Sequence, residues 1–377
     1  MHDPRFAELA ETLVAHSCSV AKGEKVLVEA WDTPVEMVRA LIRRIDRAGG
    51  LPIVELKSNR VHRDLVLAAS EDQMRAIADA ERYRMERVDA YIGIRGNANI
   101  AENSDVPPEK IGLYQRLWWV PVHHDVRVKQ TKWVVLRWPD PSMAQLANMS
   151  TEGFEDFYFR VCNVDYARMA QAMRPLMELM EQTKDVRVVA PGTDLRFSIE
   201  NIPVIGCAGE NNIPDGEVFT APVKDSVRGE IRFNTPTVYQ GSSHDDVYLR
   251  FERGKIVEAS SNNQSALDAT LNSDEGARYL GEFAVAFNPH ITRPMRDILF
   301  DEKIAGSIHL TPGSCYDDAS NGNKSEIHWD MVLRQTPEVG GGELYFDDRL
   351  VRKDGLFVVS ELDGLNPEGL GSEGPRA

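Results

Sequence analysis

Residues 281–330, GEFAVAFNPHITRPMRDILFDEKIAGSIHLTPGSCYDDASNGNKSEIHWD, carry the apolar runs and polar side chains that decide the second half of the chain. The runs GEFAVAF, GSIHL and IHWDMVL predict β-strands. In a strand, residues i and i+2 point to the same face, so IHWDMVL would project His328 and Asp330 together. One imidazole and one carboxylate on one face are suited to chelate a divalent cation of the Zn, Co, Mn or Fe type.

Three further residues are candidates to complete this site. Glu282 and His309 lie in the neighbouring apolar runs, and Glu217 lies in the earlier segment PDGEVFTAP. Two glutamates, two histidines and one aspartate are rich in carboxylates for one structural zinc and suit two metals that share a site. Each residue also has a structural explanation, because a lone Glu is commonly solvated or capping and a lone His commonly a hydrogen-bonded core residue. The pattern alone leaves both interpretations open.

Composition narrows the class of protein. The chain has 377 residues, which predicts two or three domains, and its 42% hydrophobic and 27% charged residues are typical of a globular protein. The net charge of −16 disfavours nucleic acid and anionic membrane as partners. The N-terminus lacks the basic and apolar regions of a signal peptide, and no apolar run approaches membrane-spanning length. The chain has four widely spaced cysteines and no CxxC motif; they are Cys18, Cys162, Cys207 and Cys315. This pattern predicts a reducing, cytoplasmic location.

The first half alternates strand and helix patterns. Residues 25–30, 51–56 and 88–94 predict strands, and residues 33–48 and 71–86 predict helices. Thr33 is the expected N-cap of the first of these two helices. Because no hairpin turn joins the strands, the pattern predicts an open parallel α/β sheet. No GxGxxG or GxxxxGK[ST] motif follows a strand, so the pattern gives no support to nucleotide binding.

The middle of the chain sets the predicted domain boundary. The aromatic segment 108–140 is expected to form a core, a subunit interface or a pocket wall, and adjacent His123 and His124 would point to opposite faces of a strand. Residues 141–183 are predicted to be helical, with a cap at Ser150 or Thr151. We therefore expect an N-terminal α/β domain with a helical segment at 1–184. Residues 185–377 are expected to form a β-rich α+β metal-binding catalytic domain, interrupted by a helix at 263–279.

The motifs, taken together and in order, resemble the M29 family of thermophilic-type metallo-aminopeptidases over nearly the whole chain. The resemblance is carried by FAELAETLVAHSCSVAKGEKVLVEA (6–30), KWVVLRWPDPSMAQLANMSTEGFEDF (132–157), IPDGEVFTAP (213–222), GEFAVAFNP (281–289), LFDEKIAGSIHLTPGSCY (299–316) and NKSEIHWDMVL (323–333). It implies a metal-dependent aminopeptidase that releases N-terminal residues from small peptides through a water activated by two divalent metals. The expected metals are Zn, Co or Mn, with Fe(II) as a further candidate, and the expected assembly is a homodimer.

The resemblance also assigns roles. It implies metal ligands at Glu217, Glu282, His309, His328 and Asp330, with either glutamate as the bridge. Tyr316, in SCYDD, matches a tyrosine that lies at the metals in the family, and it is expected to stabilise the tetrahedral oxyanion. The segment between Tyr316 and His328 is shorter than usual in the family, which leaves the substrate open.

Other functions compete with this one. A hydrolase that uses the same metals on a non-peptide amide or amine would fit the short segment and the aromatic residues of 108–140. More distantly, the chain resembles the dihydroxypyridine ring-cleaving iron dioxygenases of the same fold, which would use a single Fe(II). Those enzymes have His at the Glu282 position and lack the acid at the Glu217 position, so both glutamates favour hydrolysis. A non-catalytic dimeric binding protein is disfavoured because the site residues are all retained.

Overall fold

The computed structural model describes residues 3–371 and has a mixed α/β fold, as predicted. The strands are β1 (Lys25–Trp31), β2 (Leu51–Lys57), β3 (Ala90–Arg95), β4 (Lys132–Arg137), β5 (Asp185–Ala190), β6 (Thr193–Ser198), β7 (Ile205–Cys207), β8 (Asn212–Ile213), β9 (Glu217–Thr220), β10 (Arg228–Arg232), β11 (Thr237–Tyr239), β12 (Ser242–His244), β13 (Tyr248–Glu252), β14 (Lys255–Ser260), β15 (Leu280–Ala286), β16 (Ser307–Pro312), β17 (Met331–Arg334), β18 (Glu343–Phe346), β19 (Arg349–Lys353) and β20 (Leu356–Phe357).

Helices lie mainly in the first half of the chain. They are α1 (Pro4–Glu11), α2 (Val35–Arg47), α3 (Asn59–Leu67), α4 (Glu71–Met85), α5 (Pro108–Tyr114), α6 (Pro141–Leu146), α7 (Thr151–Cys162), α8 (Tyr166–Ala172), α9 (Arg174–Gln182), α10 (Gln264–Leu271), α11 (Ile298–Asp301) and α12 (Pro367–Gly371). Two of them continue as wider, π-helical segments, α1 into Thr12–Ser17 and α5 into Gln115–Val128. None of the helices between residues 3 and 371 is long and apolar enough to cross a membrane.

Contacts divide the chain into two compact units. The N-terminal unit comprises residues 1–163 and 209–213, and the C-terminal unit comprises residues 164–208 and 214–377. The boundary predicted near residue 184 falls between α9 and β5 and stays a prediction. The helix predicted at 263–279 is wrong in length, because α10 ends at Leu271 and only a short 3-10 turn, Gly276–Arg278, follows.

The N-terminal unit is built on the predicted parallel sheet. Its strand order is β2-β1-β3-β4-β8, and every pair is parallel. The apolar side chains of β3 and, except for Trp31, those of β1 are buried, which explains their nearly continuous apolar runs. They pack with α4 and the π-helical segment in one core that includes Leu27, Met74, Tyr91, Trp118 and Val122. Strand β8 has only two residues and no sequence signal predicted it.

Several local predictions about this unit are corrected or confirmed. Thr33 is not an N-cap: α2 begins after Pro34 without a side-chain cap, and the Thr33 hydroxyl instead donates to the Trp31 carbonyl at 2.9 Å. The strand reading of the His123–His124 pair is wrong, because residues 115–128 are helical. Ser150 is the cap of α7, since its hydroxyl oxygen accepts the Gly153 N–H at 3.1 Å.

The C-terminal unit is rich in β-strands, as predicted, and its strand pairs are antiparallel. Eight of them form a sheet with the order β14-β13-β10-β6-β5-β18-β19-β20, and β11 pairs with β12. A second sheet has the order β17-β16-β15-β9-β7, and its central strand β15 is buried along its whole length. A register shift between Leu280 and Glu282 marks a bulge at Gly281, where a Cβ atom would lie 2.3 Å from the Ser314 carbonyl oxygen. The glycine is therefore required by the close approach of this backbone.

Candidate metal centre

Three neighbouring strands carry Glu217, Glu282 and His309. Glu282 shares one face of β15 with Ala284 and Ala286, because alternate residues of a strand point the same way. His309 of β16 lies opposite Ala284, and Glu217 of β9 lies opposite Ala286. Directly opposed residues also share a face, so two small alanines leave room for the longer side chains to approach Glu282 from both sides.

His328 and Asp330 reach the same place from the adjoining segment. The predicted strand begins later than expected, since His328 forms an isolated bridge with Gly313 and β17 starts at Met331. The expected geometry nevertheless holds: the Nε2 atom of His328 lies 3.4 Å from Oδ1 of Asp330. Trp329 points the other way, is buried, and stacks on Tyr239 with ring centroids 4.9 Å apart.

The five predicted ligands form two groups that share Glu282. One group contains Glu217, Glu282 and His309, and the other contains Glu282, His328 and Asp330, with the ligand atoms of each group within 4.8 Å of one another. Oε1 of Glu282 lies 3.1 Å from Nε2 of His309, and Oε2 lies 3.3 Å from Nε2 of His328. One carboxylate thus extends one oxygen toward each half of the cluster.

Two charged residues complete the surroundings: Lys303, which the sequence did not predict, and Glu302, whose position in FDEKI left open whether it supports the site or is a solvated acid on a turn. Lys303 is 2% exposed, and its ammonium pairs with Glu217, lies 2.8 Å from Oε1 of Glu302 and lies 3.8 Å from Oδ1 of Asp215. Burial disfavours a charged lysine, but Glu217 and Glu302 outweigh it and raise the pKa of Lys303 well above its ordinary value. Glu302 also forms a ligand-type group with His309 and Asp330. The polar triplet DEK between Phe300 and Ile304 is the one sequence feature that marks this pair.

The excess of carboxylates raises the pKa values of the two histidines of the cluster, His309 and His328. Burial lowers the pKa of His309, but Glu217 and Glu282 outweigh it and raise that pKa to about 10. Burial likewise opposes the charge of His328, whereas Asp330 and Glu282 raise its pKa to about 10. Both imidazoles are therefore doubly protonated and positively charged when no metal is bound, and their positive charge balances the carboxylates in place of a metal cation.

The residues present fit divalent cations. The Oε2 atom of Glu217 is buried and has no hydrogen-bond partner among the described residues, although Nδ1 of His309 is only 3.6 Å away. A buried carboxylate oxygen can only accept, so leaving it without a donor or a cation is costly. The Thr311 hydroxyl donates to Asp330, which fixes that carboxylate toward the cluster. Oxygen and imidazole ligands in this ratio suit metals of the Zn, Co, Mn or Fe type.

A comparison with known families decides the class. The family model described as thermophilic metalloprotease (M29) matches residues 2–357. The chain belongs to the M29 family. The predicted class of enzyme, a metallo-aminopeptidase of the M29 type, is thereby confirmed.

Individual relatives of this M29 chain agree in sequence and fold. Aminopeptidase T of Thermus thermophilus is 26% identical over 375 residues, covering 86% of this chain and 91% of that protein. The structure of wild-type AmpT from the same organism matches with a TM-score of 0.80 and 23% identity, covering 94% of this chain and 99% of that one. The fold also resembles 2,5-dihydroxypyridine dioxygenase of Pseudomonas putida, with a TM-score of 0.61 and 14% identity over 95% and 98% of the two chains. The distant likeness predicted from sequence is confirmed at the level of fold.

Tyr316 lies beside the candidate metal ligands His328 and Glu282. Its ring centroid is 4.8 Å from that of His328 and 5.6 Å from that of Phe219, yet 51% of its surface is exposed. Desolvation by the surrounding atoms and the charges of Glu282 and Asp330 raise the pKa of Tyr316 well above its ordinary value. Its hydroxyl therefore keeps its proton and remains a hydrogen-bond donor.

The short segment after Tyr316 is firmly anchored. Asn323 is fully buried, and its side-chain N–H groups donate to the carbonyls of Gly276 at 2.9 Å and Gly313 at 2.7 Å. Asn321 donates to the carbonyls of Pro222 and Leu280 at 2.7 and 2.8 Å. These bonds hold the segment against β15 and β16, which fixes the position of His328 at its end.

Proposed function

We propose that this chain is an aminopeptidase that removes N-terminal residues from small peptides with two divalent metal ions at one site. The observation that carries the proposal is that Glu282 extends one oxygen into each of two overlapping ligand groups. The expected ligands of one metal are Glu217, Glu282 and His309, and those of the other are Glu282, His328 and Asp330. Aminopeptidase T, a relative over most of the chain, supports the choice of reaction.

The proposed bridge is Glu282 rather than Glu217. Glu217 already shares one oxygen with the ammonium of Lys303, which leaves only Oε2 directed toward His309. Glu282 has both oxygens within 3.3 Å of an imidazole nitrogen, one on each side. A single carboxylate between two sites can hold two cations near each other and leave room for a shared water.

The roles of the chain's own groups follow from their positions. When bound, the two metals would polarise the scissile carbonyl and lower the pKa of a water toward neutrality. Tyr316 would donate its hydroxyl proton in a hydrogen bond to the oxyanion that develops on that carbonyl. Burial raises the pKa of Glu217 to about 8, and Lys303 would oppose that rise and orient the carboxylate. The surplus of carboxylates would attract the free ammonium group that every aminopeptidase substrate carries at its N-terminus.

The cellular setting remains part of the proposal. We expect a cytoplasmic homodimer, from the cysteine content and from the family resemblance. The native metal is expected to be Zn, Co or Mn, with Fe(II) as a further candidate, because sites of this type bind along the Irving–Williams series and availability decides.

The test combines metal content with turnover. Protein purified without chelator is analysed for metal per chain, and release of aniline from leucyl-anilide is measured after adding Zn, Co, Mn or Fe(II). About two metals per chain with metal-restored release support the proposal. Two metals with turnover of aromatic amides but not of aminoacyl anilides would favour the non-peptide hydrolase. One iron per chain with oxygen consumption on a hydroxylated pyridine would overturn hydrolysis in favour of ring cleavage.

A further inference from the structure

We propose that an apolar patch beside the candidate metal ligands receives the side chain of the substrate's N-terminal residue and makes the enzyme selective for apolar residues such as leucine. The patch consists of Ile202, Ile205, Phe219 and Tyr316, which all belong to the C-terminal unit, as the ligands do. The inference names the substrate class of the aminopeptidase proposed above, and it rests on that proposed function.

The patch lies on the face of the sheet that carries the ligands. Ile205 of β7 directly opposes Phe219 of β9, and Phe219 opposes Ala284 of β15. Ala284 in turn opposes the ligand His309 of β16. Directly opposed residues share a face, so one row of side chains runs from His309 across Ala284 and Phe219 to Ile205. Two strand spacings, or about 10 Å, separate the backbones of His309 and Phe219, with only the small Ala284 between them.

Tyr316 connects this row to the other half of the metal centre. Its ring centroid lies 5.6 Å from that of Phe219 and 4.8 Å from that of His328. Ile202 and Ile205 pack against the small apolar cluster that contains Phe219. The apolar surface therefore begins at the tyrosine expected to face the reacting carbonyl and extends over β9 and β7, away from His328.

Burial differs between the two faces of β7. Gly206 points away from the ligands, and a Cβ atom there would lie 2.6 Å from Cε of Met173 and 2.7 Å from Sδ of Met177, so methionines cover that face. On the ligand face, Ile205 is only partly buried, and 51% of the surface of Tyr316 is exposed. Apolar side chains left open next to a catalytic centre are stabilised when an apolar part of the substrate covers them.

The other end of the same row has no room for such a side chain. Val332 of β17 opposes His309, and together with Asp330, Thr235 and Ile298 it lines a cavity of about 10 Å³. This volume holds at most one water molecule. The Thr235 hydroxyl oxygen is buried without a hydrogen-bond partner among the described residues, so it offers such a water a polar contact. A side chain of the size of leucine is therefore directed to the apolar patch.

The chemistry of the patch defines the preferred residue. Its members are two isoleucines, a phenylalanine and a tyrosine ring, and none of them carries a charge to pair with a charged substrate side chain. A lysine or glutamate side chain would lose hydration over this surface without gaining a partner. Alanine would leave most of the surface uncovered. Leucine, methionine and phenylalanine fit it best.

The test measures selectivity rather than overall rate. The metal-loaded full chain is assayed with leucyl-, alanyl- and lysyl-anilide, and kcat/KM is expected to be about tenfold higher for leucyl-anilide than for either of the others. Ile205→Thr keeps a β-branched residue suited to a strand but removes apolar surface. It should lower the ratio of leucyl to alanyl turnover by at least about fivefold and leave the metal content unchanged.

Ile298→Thr is the matched control, because it makes the same exchange in an isoleucine that is 37% exposed and lines the small cavity beside Asp330. Its ratio of leucyl to alanyl turnover should equal that of the wild type. Ile202→Thr lies outside the strands and covers the case in which a thermal melt shows that Ile205→Thr does not fold. An unchanged ratio in the folded patch variant, or a change in Ile298→Thr alone, would overturn the proposal.

A binding measurement separates the patch from the reaction on which it rests. Isopentylamine carries the amine and side chain of leucine without a carbonyl, and ethylamine does the same for alanine. Calorimetric titration should show that isopentylamine binds at least about fivefold more tightly than ethylamine, and Ile205→Thr should remove this difference. The difference in amine binding without release from any anilide would support the patch and overturn the proposed peptidase. Release from all three anilides at equal kcat/KM, with equal binding of the two amines, would overturn the patch alone.

Discussion

Two histidines of the N-terminal unit, His62 and His123, are neutral, whereas two of the C-terminal unit, His309 and His328, are positively charged. In the N-terminal unit, burial lowers the pKa of His62 to about 4 and that of His123 to about 3. In the C-terminal unit, nearby carboxylates overcome burial and raise the pKa of His309 and His328 to about 10. Burial thus keeps His62 and His123 neutral, whereas at His309 and His328 the surrounding carboxylates outweigh burial and keep the imidazoles charged.

The neighbours explain the difference in detail. At His123 burial is the main cause of the low pKa, and Glu29 opposes it. Arg127, whose Nε–H donates to the Nδ1 atom of His123 at 3.3 Å, adds to the effect of burial, followed by Arg95 and Lys57. The charged groups nearest the His309 ring are the carboxylates of Glu217 and Glu282, and its Nδ1 atom also lies 3.4 Å from the Glu302 carbonyl oxygen. A neutral imidazole beside cations packs into a core, while a protonated imidazole among acids marks a place where metal ions can replace protons.

The largest test of this contrast removes the shared carboxylate. Glu282→Gln keeps the shape of the side chain but takes away the negative charge that both ligand groups use. We expect leucyl-anilide turnover to fall by about 10³-fold or more, equivalent to ~4 kcal/mol of transition-state stabilisation, together with a loss of bound metal. Steady-state kinetics and metal analysis of the same preparation measure both effects.

The matched control is Glu252→Gln, an exposed glutamate of β13 whose ion pair with Arg250 at 2.6 Å is on the surface. Surface pairs of this kind contribute about 0–1 kcal/mol, so metal content and turnover should not change. Full metal occupancy and full activity in Glu282→Gln would contradict the whole ligand assignment.

A smaller effect is expected at Tyr316, which contacts the cluster without belonging to it. Tyr316→Phe removes one donor near the reacting carbonyl and should lower kcat by about 10²-fold, or ~2.7 kcal/mol. Metal content should remain that of the wild type, which separates this role from that of a ligand. Tyr345→Phe, which loses only a hydrogen bond to Glu343 at 2.6 Å, is the control. An unchanged kcat would assign Tyr316 to packing against Phe219.

The sequence anticipated the elements whose signals are local. Alternating strand and helix patterns predicted the parallel sheet, and the spacing of His328 and Asp330 predicted that their side chains meet. Strand β8 was missed because its two residues are defined only by pairing with distant β4. The burial of Lys303 was not predicted because its partner Glu217 lies 86 positions away in the chain, and no local sequence pattern indicates a pairing over that distance. The sequence did not predict the π-helical segment because Pro121 disfavours a helix interior and its β-branched neighbours Val120 and Val122 favour strands over helices.

Acid sensitivity of the N-terminal unit is the next prediction. The folded-state pKa of His123 is below its unfolded value of 6.5, so its neutral form contributes stability that is present above pH 6.5 and lost as the pH falls toward 3. Between pH 7 and pH 4.5 the loss is expected to be about 2 kcal/mol. Glu29, with its pKa lowered to about 2, loses its contribution only below about pH 4.5 and does not interfere.

His123→Gln isolates this effect, because an amide does not titrate but its oxygen can still accept the Arg127 N–H. Urea unfolding followed by tryptophan fluorescence reports mainly on this unit, which holds all the tryptophans except Trp329. The free energy of unfolding of the variant should vary less with pH than that of the wild type. His124→Gln, on the exposed neighbour, should leave the pH dependence as it is. Equal slopes for wild type and His123→Gln would show that His123 is charged in the folded state.

The smallest expected effect sharpens the comparison, because His62 lies in the same unit but is less completely buried than His123. Its pKa is lowered to about 4 by burial and then by Lys57, so His62→Gln should also reduce the acid-induced loss of stability. Solvent screening limits the gain to roughly 1 kcal/mol between pH 7 and pH 4.5.

In chelated protein the C-terminal unit should behave in the opposite way. The raised pKa values of His309 and His328 give it stability that is complete below pH 6.5 and decreases as the pH rises toward 10. Hydrogen exchange measured separately for the two units should show the N-terminal unit gaining stability as the pH rises from about 3 to 6.5 and the chelated C-terminal unit losing it from 6.5 to about 10. Slopes of the same sign in the two windows would contradict these pKa assignments.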